Sequence, residues 1–142
     1  LKYMSKDIAK KYSNAEDYFD FASQAIMEMV RQVGEPVFNK NGIMTKGVIV
    51  RHLTLPGCLE DSKKIIEYLY KTFGDAIYIS IMNQYTPLSA VREYPEINRK
   101  VPDKDYDELV DYAIYLGVEN AFIQEGETAS ESFIPEFNGE GV

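Results

Sequence analysis

With 142 residues, 45% of them hydrophobic and 13% aromatic, the chain is long enough to form a single domain around a real core. Its formal net charge of -8 excludes a general nucleic-acid or anionic-membrane binder, because either partner demands a basic face. One cysteine forms no internal disulfide and holds no iron–sulfur cluster, no apolar run reaches membrane-spanning length and no signal peptide is evident, so a cytoplasmic setting with small molecules or proteins as partners is expected.

The chain opens with Leu1, Lys2 and Tyr3 rather than a methionine, which suggests a piece of something longer. Ser5 to Tyr12 reads as a short helix. Ser13 or Asn14 then caps a long one, in which Tyr18, Ala22, Ala25, Ile26, Met29, Val30 and Val33 recur at helical spacing until Gly34 ends the run. Asn39 to Gly42 is a turn signal between Val37-Phe38 and Ile43-Met44, so a small hairpin is expected there.

From Lys46 or Gly47 to Leu55 the residues Val48, Ile49, Val50, Leu53, Thr54 and Leu55 predict a strand buried on both faces, as in a parallel sheet covered by helices. Pro56 and Gly57 stop it. Asp61 or Ser62 caps the next helix, striped by Ile65, Ile66, Leu69, Tyr70 and Phe73 and closed by Gly74. Ala76 to Tyr85 is a second strand that turns polar at Asn83 and Gln84. Thr86 to Val101 is a loop of a length usually kept for function. Asp103 caps a third major helix carrying Tyr106, Leu109, Val110, Ala113, Ile114 and Leu116, and Glu119 to Gln124 is a third short strand. The alternation implies right-handed parallel crossovers, hence an α/β sheet or barrel over residues 1–123. Residues 124–142 form an acidic tail whose Phe133, Ile134 and Phe137 are expected to lie on something.

Sites in parallel α/β folds gather at the carboxyl ends of strands, which selects Arg51 to Gly57, Asn83 to Pro87 and Gln124 to Glu127. Arg51, inside a barrel, must meet a carboxylate, a phosphate or carbonyls, either as a ligand contact or as a structural ion pair. His52 points to the opposite face, as a general base or a satisfied packing residue. Asn83 and Gln84 either bind a polar ligand or cap the sheet, and Tyr85 lines the site in both cases. Cys58 follows a Pro-Gly turn with no base in view and reads as inert. No nucleophile and base pair, metal-ligand spacing, phosphate loop or carboxylate pair is legible.

Several segments carry a family likeness: Leu1 to Tyr3, Ala9 to Ser13 (AKKYS), Val48 to Gly57 (VIVRHLTLPG), Met82 to Pro87 (MNQYTP), Tyr94 to Arg99 (YPEINR) and Glu131 to Pro135 (ESFIP). Together they resemble the carboxyl-terminal half of radical S-adenosylmethionine (SAM) proteins of the pyruvate formate-lyase activating enzyme-like group, and more particularly its uncharacterised iron–sulfur branch. The resemblance covers nearly the whole chain. It implies the carboxyl-terminal part of a partial TIM-type barrel with about three parallel strands. It also implies a parent oxidoreductase in which a [4Fe–4S] cluster on a CxxxCxxC loop cleaves SAM reductively, giving a 5'-deoxyadenosyl radical that abstracts hydrogen from a substrate. In the activases that substrate is a glycyl residue of a protein partner.

The cysteine motif and the glycine-rich SAM motif are absent here, so the resemblance implies that this chain alone binds no cofactor and is inactive. Lys2 matches a lysine that approaches the SAM carboxylate, and Gln84 or Tyr85 stands where the activases place a histidine. Arg51 is then the preferred second anion partner, with His52 beside it in the cofactor-binding set. Half of an ordinary barrel lyase or isomerase, or a stand-alone α/β interaction module, are the alternatives. A half barrel would expose the edge of its leading strand, so self-association is expected, or else coverage by the tail.

Overall fold

A computed structural model of the chain describes residues 1–124. The expectations about the acidic tail after Gln124, including Phe133, Ile134 and Phe137, lie outside the described residues.

Helix α1 (Lys6–Ser13) starts where the Ser5 hydroxyl accepts the Ile8 N–H at 3.3 Å. It stops at Asn14, whose left-handed backbone (φ 49°) returns its N–H to the last carbonyls of the helix. Asn14 therefore closes α1 instead of opening the next helix. Helix α2 (Tyr18–Val33) begins after Asp17 and ends at Gly34, as its apolar stripe required.

The expected hairpin is present as β1 (Val37–Phe38) and β2 (Met44–Lys46), paired antiparallel. Asn39 builds its turn by accepting the N–H groups of Asn41 and Ile43 on one side-chain oxygen, at 2.9 and 3.0 Å. Lys46 belongs to this hairpin, so the following strand β3 (Ile49–Leu53) is shorter than expected. Gly47, at φ 150°, makes the junction. A Cβ there would stand 2.8 Å from the Met44 sulfur and 3.2 Å from the Pro36 Cα, so only glycine lets the hairpin fold against the start of β3.

Helix α3 (Leu59–Phe73) leads through a 3-10 turn at Gly74–Ala76 into β4 (Tyr78–Met82). Helix α4 (Asp103–Leu116) leads into β5 (Ala121–Phe122). Strands β3, β4 and β5 form one sheet in chain order, and both pairings are parallel. That is the mixed α/β architecture expected from the alternation. Among the described residues the sheet is open and does not close into a barrel.

One face of the sheet is covered. Val50, Ile79 and Ile81 pack with Ile65, Ile66 and Leu69 of α3, with Tyr106, Leu109 and Ala113 of α4, and with Ile26 of α2. Ile65, Ile66, Leu69, Ile77, Ile79, Ile81 and Leu109 are almost wholly removed from water, and each such side chain contributes about 1.5–3 kcal/mol of burial free energy. The expectation that β3 is buried on both faces is corrected: Val50 and His52 are buried, whereas Ile49 and Arg51 are exposed. The strand is apolar on both faces, but the helices cover only one.

Candidate functional site

The uncovered face of the sheet is defined by register. Parallel pairing sets Ile49 beside Tyr78, Arg51 beside Ser80, and Leu53 beside Met82, with Phe122 of β5 next to Ser80. Paired residues point to the same side, so these seven side chains share one face. Tyr78 stacks on Phe122 with ring centroids 5.2 Å apart, and Phe38 of the hairpin meets the Tyr78 ring edge-on at 5.6 Å. The hairpin and this stack close the amino-terminal end of the face. Arg51 lies past them and is exposed.

The outer edge of β3 meets the start of the chain. The Leu1 nitrogen donates to the Arg51 carbonyl, and the Met4 and Ser5 N–H groups donate to the two carboxylate oxygens of Asp61 at 3.0 and 2.8 Å. Asp61 was expected to cap α3. It sits inside that helix, after Cys58 at the cap position, and instead anchors the entry to α1. Lys2 follows Leu1 directly along this edge and is exposed, its N–H donating to the Tyr18 hydroxyl at 3.1 Å. The backbones of Lys2 and Arg51 are thereby held on neighbouring lines.

His52 lies on the helix-covered face and is fully buried. Its Nδ1 is 2.7 Å from the Leu1 carbonyl oxygen and its Nε2 is 2.8 Å from the Ser62 hydroxyl. Since the carbonyl can only accept, Nδ1 carries the proton and Nε2 accepts from Ser62. Burial pushes the imidazole pKa down to about 4, so the ring is neutral. A serine hydroxyl on a neutral histidine is the geometry of an activated nucleophile, but both side chains are closed off from solvent. The pair ties the first residue to α3, and His52 stands apart from the face that carries Arg51.

At the carboxyl ends of the strands the sequence-predicted residues separate. Gln84 is exposed. Tyr85 is half-buried between two apolar clusters, and its hydroxyl has no partner among the described residues. Burial raises its pKa. Asn83 donates its N–H to the Gln124 side-chain oxygen at 2.8 Å, which joins the ends of β4 and β5. Cys58 is buried, and that burial, helped by Asp61 and Glu96, raises its thiol pKa to about 11, so it is protonated and unreactive.

Two of the quoted segments face each other. Glu96 of YPEINR accepts from the Tyr12 hydroxyl at 2.9 Å and pairs with Lys11, both from AKKYS. Those donors, the Lys11 ammonium first, lower the Glu96 pKa to about 2. Tyr94 meets Tyr12 edge-on at 5.3 Å, and Ile97 is buried. The long loop is therefore clamped onto α1 beside the Pro56-Gly57 turn. Residue spacing alone did not reveal this contact, because its halves are 84 positions apart.

No family model matches the chain, and no solved structure does. A curated relative is an uncharacterized protein of Methanocaldococcus jannaschii, 25% identical over 116 residues, which are 80% of this chain and 29% of that protein. The chain thus spans less than a third of the length of the curated relative it matches. Among the described residues, no helix is long and apolar enough to cross a membrane.

Proposed function

We propose that this chain is the carboxyl-terminal part of a radical SAM enzyme of the pyruvate formate-lyase activating enzyme-like group, its sheet forming one side of a partial TIM-type barrel. The observation that carries this reading is the one-sided sheet. Three parallel strands in chain order are covered by helices on one face, and the other face presents Arg51 from the middle of β3. A barrel built from this sheet would turn that face inward, and barrel enzymes bind their ligands at the carboxyl-terminal mouth of that interior. The Leu1 nitrogen on the Arg51 carbonyl supports the same reading, since it brings the chain against the edge of β3 where a preceding strand would lie.

The residues present fit one end of SAM. Arg51 and Lys2 are cations on adjacent backbone lines, suited to the methionyl carboxylate. Gln84 or Tyr85, from the loop leaving β4, would complete the rim. They do not fit the cluster: the one cysteine is buried and protonated, so the three thiolates would come from sequence outside this chain. Cluster and SAM would supply the radical chemistry, including hydrogen abstraction from a glycyl residue of a protein substrate. This chain's part is to hold the carboxylate and to form part of the wall.

Two measurements test the reading. The coding sequence upstream of Leu1 is expected to carry a CxxxCxxC motif; a Schiff-base lysine or a phosphate loop there would select an ordinary barrel lyase or isomerase. In the reconstituted parent, Arg51→Leu is expected to weaken SAM binding by about 1.5–3 kcal/mol, the worth of a charge-assisted hydrogen bond. Unchanged affinity by calorimetry would return Arg51 to a structural role.

A further inference from the structure

Three buried polar side chains, His52, Asp61 and Ser62, converge on the first five residues of the chain. The Ser62 hydroxyl donates to His52 Nε2 at 2.8 Å, and His52 Nδ1 donates to the Leu1 carbonyl at 2.7 Å. Asp61 accepts the Met4 and Ser5 N–H groups on its two oxygens, at 3.0 and 2.8 Å. Between these anchors the Lys2 N–H donates to the Tyr18 hydroxyl at 3.1 Å. Tyr3 is buried, its ring edge-on to Tyr18 at 5.4 Å and its hydroxyl 2.9 Å from that of Ser13. The peptide groups on both sides of Lys2 are thus fixed by side chains distant in sequence, while Lys2 itself is exposed.

A buried imidazole and a buried carboxylate are costly to place, so they add little stability beyond satisfying the peptide groups they meet. Their distinctive effect is direction. Hydrogen bonds of defined angle fix the Leu1 carbonyl and the Met4 and Ser5 N–H groups more closely than apolar contact does, and a network satisfied at every member is rigid. A cation carried on a backbone held in this way gives up less freedom when it meets a ligand, which raises affinity without any new contact. The Leu1 nitrogen on the Arg51 carbonyl sets that backbone beside β3, the strand that carries Arg51. We propose that His52, Ser62 and Asp61 are positioning residues, which hold the Lys2 backbone so that its ammonium group acts together with Arg51 on the methionyl carboxylate. The inference rests on the radical SAM reading, in which Lys2 is a ligand contact, and deepens it by assigning a role to side chains that never touch the ligand.

The test is a double-mutant cycle in the reconstituted parent, with SAM affinity read by calorimetry well below the unfolding transition. Lys2→Met is expected to weaken binding at least about tenfold, the worth of a charge-assisted hydrogen bond. Ser62→Ala and Asp61→Asn are each expected to weaken it at least about twofold, the lower end of coupling within one hydrogen-bonded network, and to have no further effect once residue 2 is methionine. A merely structural role would lower Tm in these variants and leave affinity untouched, or weaken binding equally with and without the Lys2 ammonium. Either result, beside a weakened Lys2→Met, would overturn the positioning role alone. Where one variant does not fold the other carries the comparison, since Asp61→Asn keeps an acceptor oxygen for one of the two N–H groups. A parent that binds no SAM, or whose affinity Lys2→Met leaves unchanged, would overturn the ligand role of Lys2 and this inference with it.

Discussion

His52 links a single side chain to the stability of the whole fold. Its folded pKa of about 4 lies below the unfolded value of 6.5, so between these limits the unfolded chain binds a proton that the folded chain refuses. The sign follows directly: the contribution is fully present above about pH 6.5 and is lost as pH falls towards 4. Over that window the loss amounts to at most about 3 kcal/mol. Urea unfolding at pH 7 and pH 4.5 is expected to show it, and His52→Gln should lose this part of the slope while being less stable at pH 7. If wild type and variant fall in parallel with acid, the buried ring is not the titrating group. Ser62→Ala addresses the same pair from the other side. It leaves Nε2 buried without a donor, at a cost of about 1–3 kcal/mol at pH 7 by the same assay.

Elements are joined here by polar side chains acting over long sequence distances. Tyr106 bridges α4 to β4 and to Gln124, two residues past β5, through the Ile81 carbonyl and the Gln124 N–H. Tyr106→Phe orphans both groups, and a loss of about 2 kcal/mol is expected in thermal or urea unfolding. Hydrogen exchange at Gln124 should quicken beyond what the global loss explains, and uniform quickening would argue that the bridge does not hold β5 in particular. Such bridges mark the limit of what the sequence disclosed. The stripes of α2, α3 and α4 were legible because helical period and core burial coincide in them, and Gly34 and Gly74 end the first two of these helices as expected. Asn14 and Asp61 were misread as helix-starting caps because a polar residue at a helix boundary looks the same whether it serves its own helix, the previous one or a distant backbone. At the site, the opposition of Arg51 and His52 followed from strand alternation alone. The Ser62 partner of His52 and the Glu96 clamp on α1 depended on tertiary contact, which local spacing does not encode.

At the scale of the molecule, the fold leaves one large surface to be accounted for. Ile49 is 42% exposed and Phe38 equally so, and they share with Met82 and the Tyr78–Phe122 stack a stretch of the face that no described helix covers, whereas Leu53 at its far end packs against the cluster around Ala9 of α1. The adjoining edge of β3 receives the Leu1 nitrogen at Arg51, and among the described residues no strand pairs with that edge. Charge is sparse here, with Arg51 standing among apolar neighbours on β3, so little opposes edge-to-edge approach. A parallel sheet is ordinarily covered on both faces, and two-fold pairing of two copies buries either this face or this edge. The isolated chain is therefore expected to self-associate at micromolar concentration, measured by light scattering, with the apparent mass falling towards that of one chain on dilution. Ile49→Lys places a cation in the apolar part of this face, which pairing of two copies would have to bury, and this variant should remain a monomer with an unchanged helical spectrum. A wild-type chain that is monomeric at every concentration would show that the face is covered from within the chain. A dimer indifferent to Ile49→Lys would move the contact elsewhere, to a surface such as the exposed Ile114 and Tyr115 of α4.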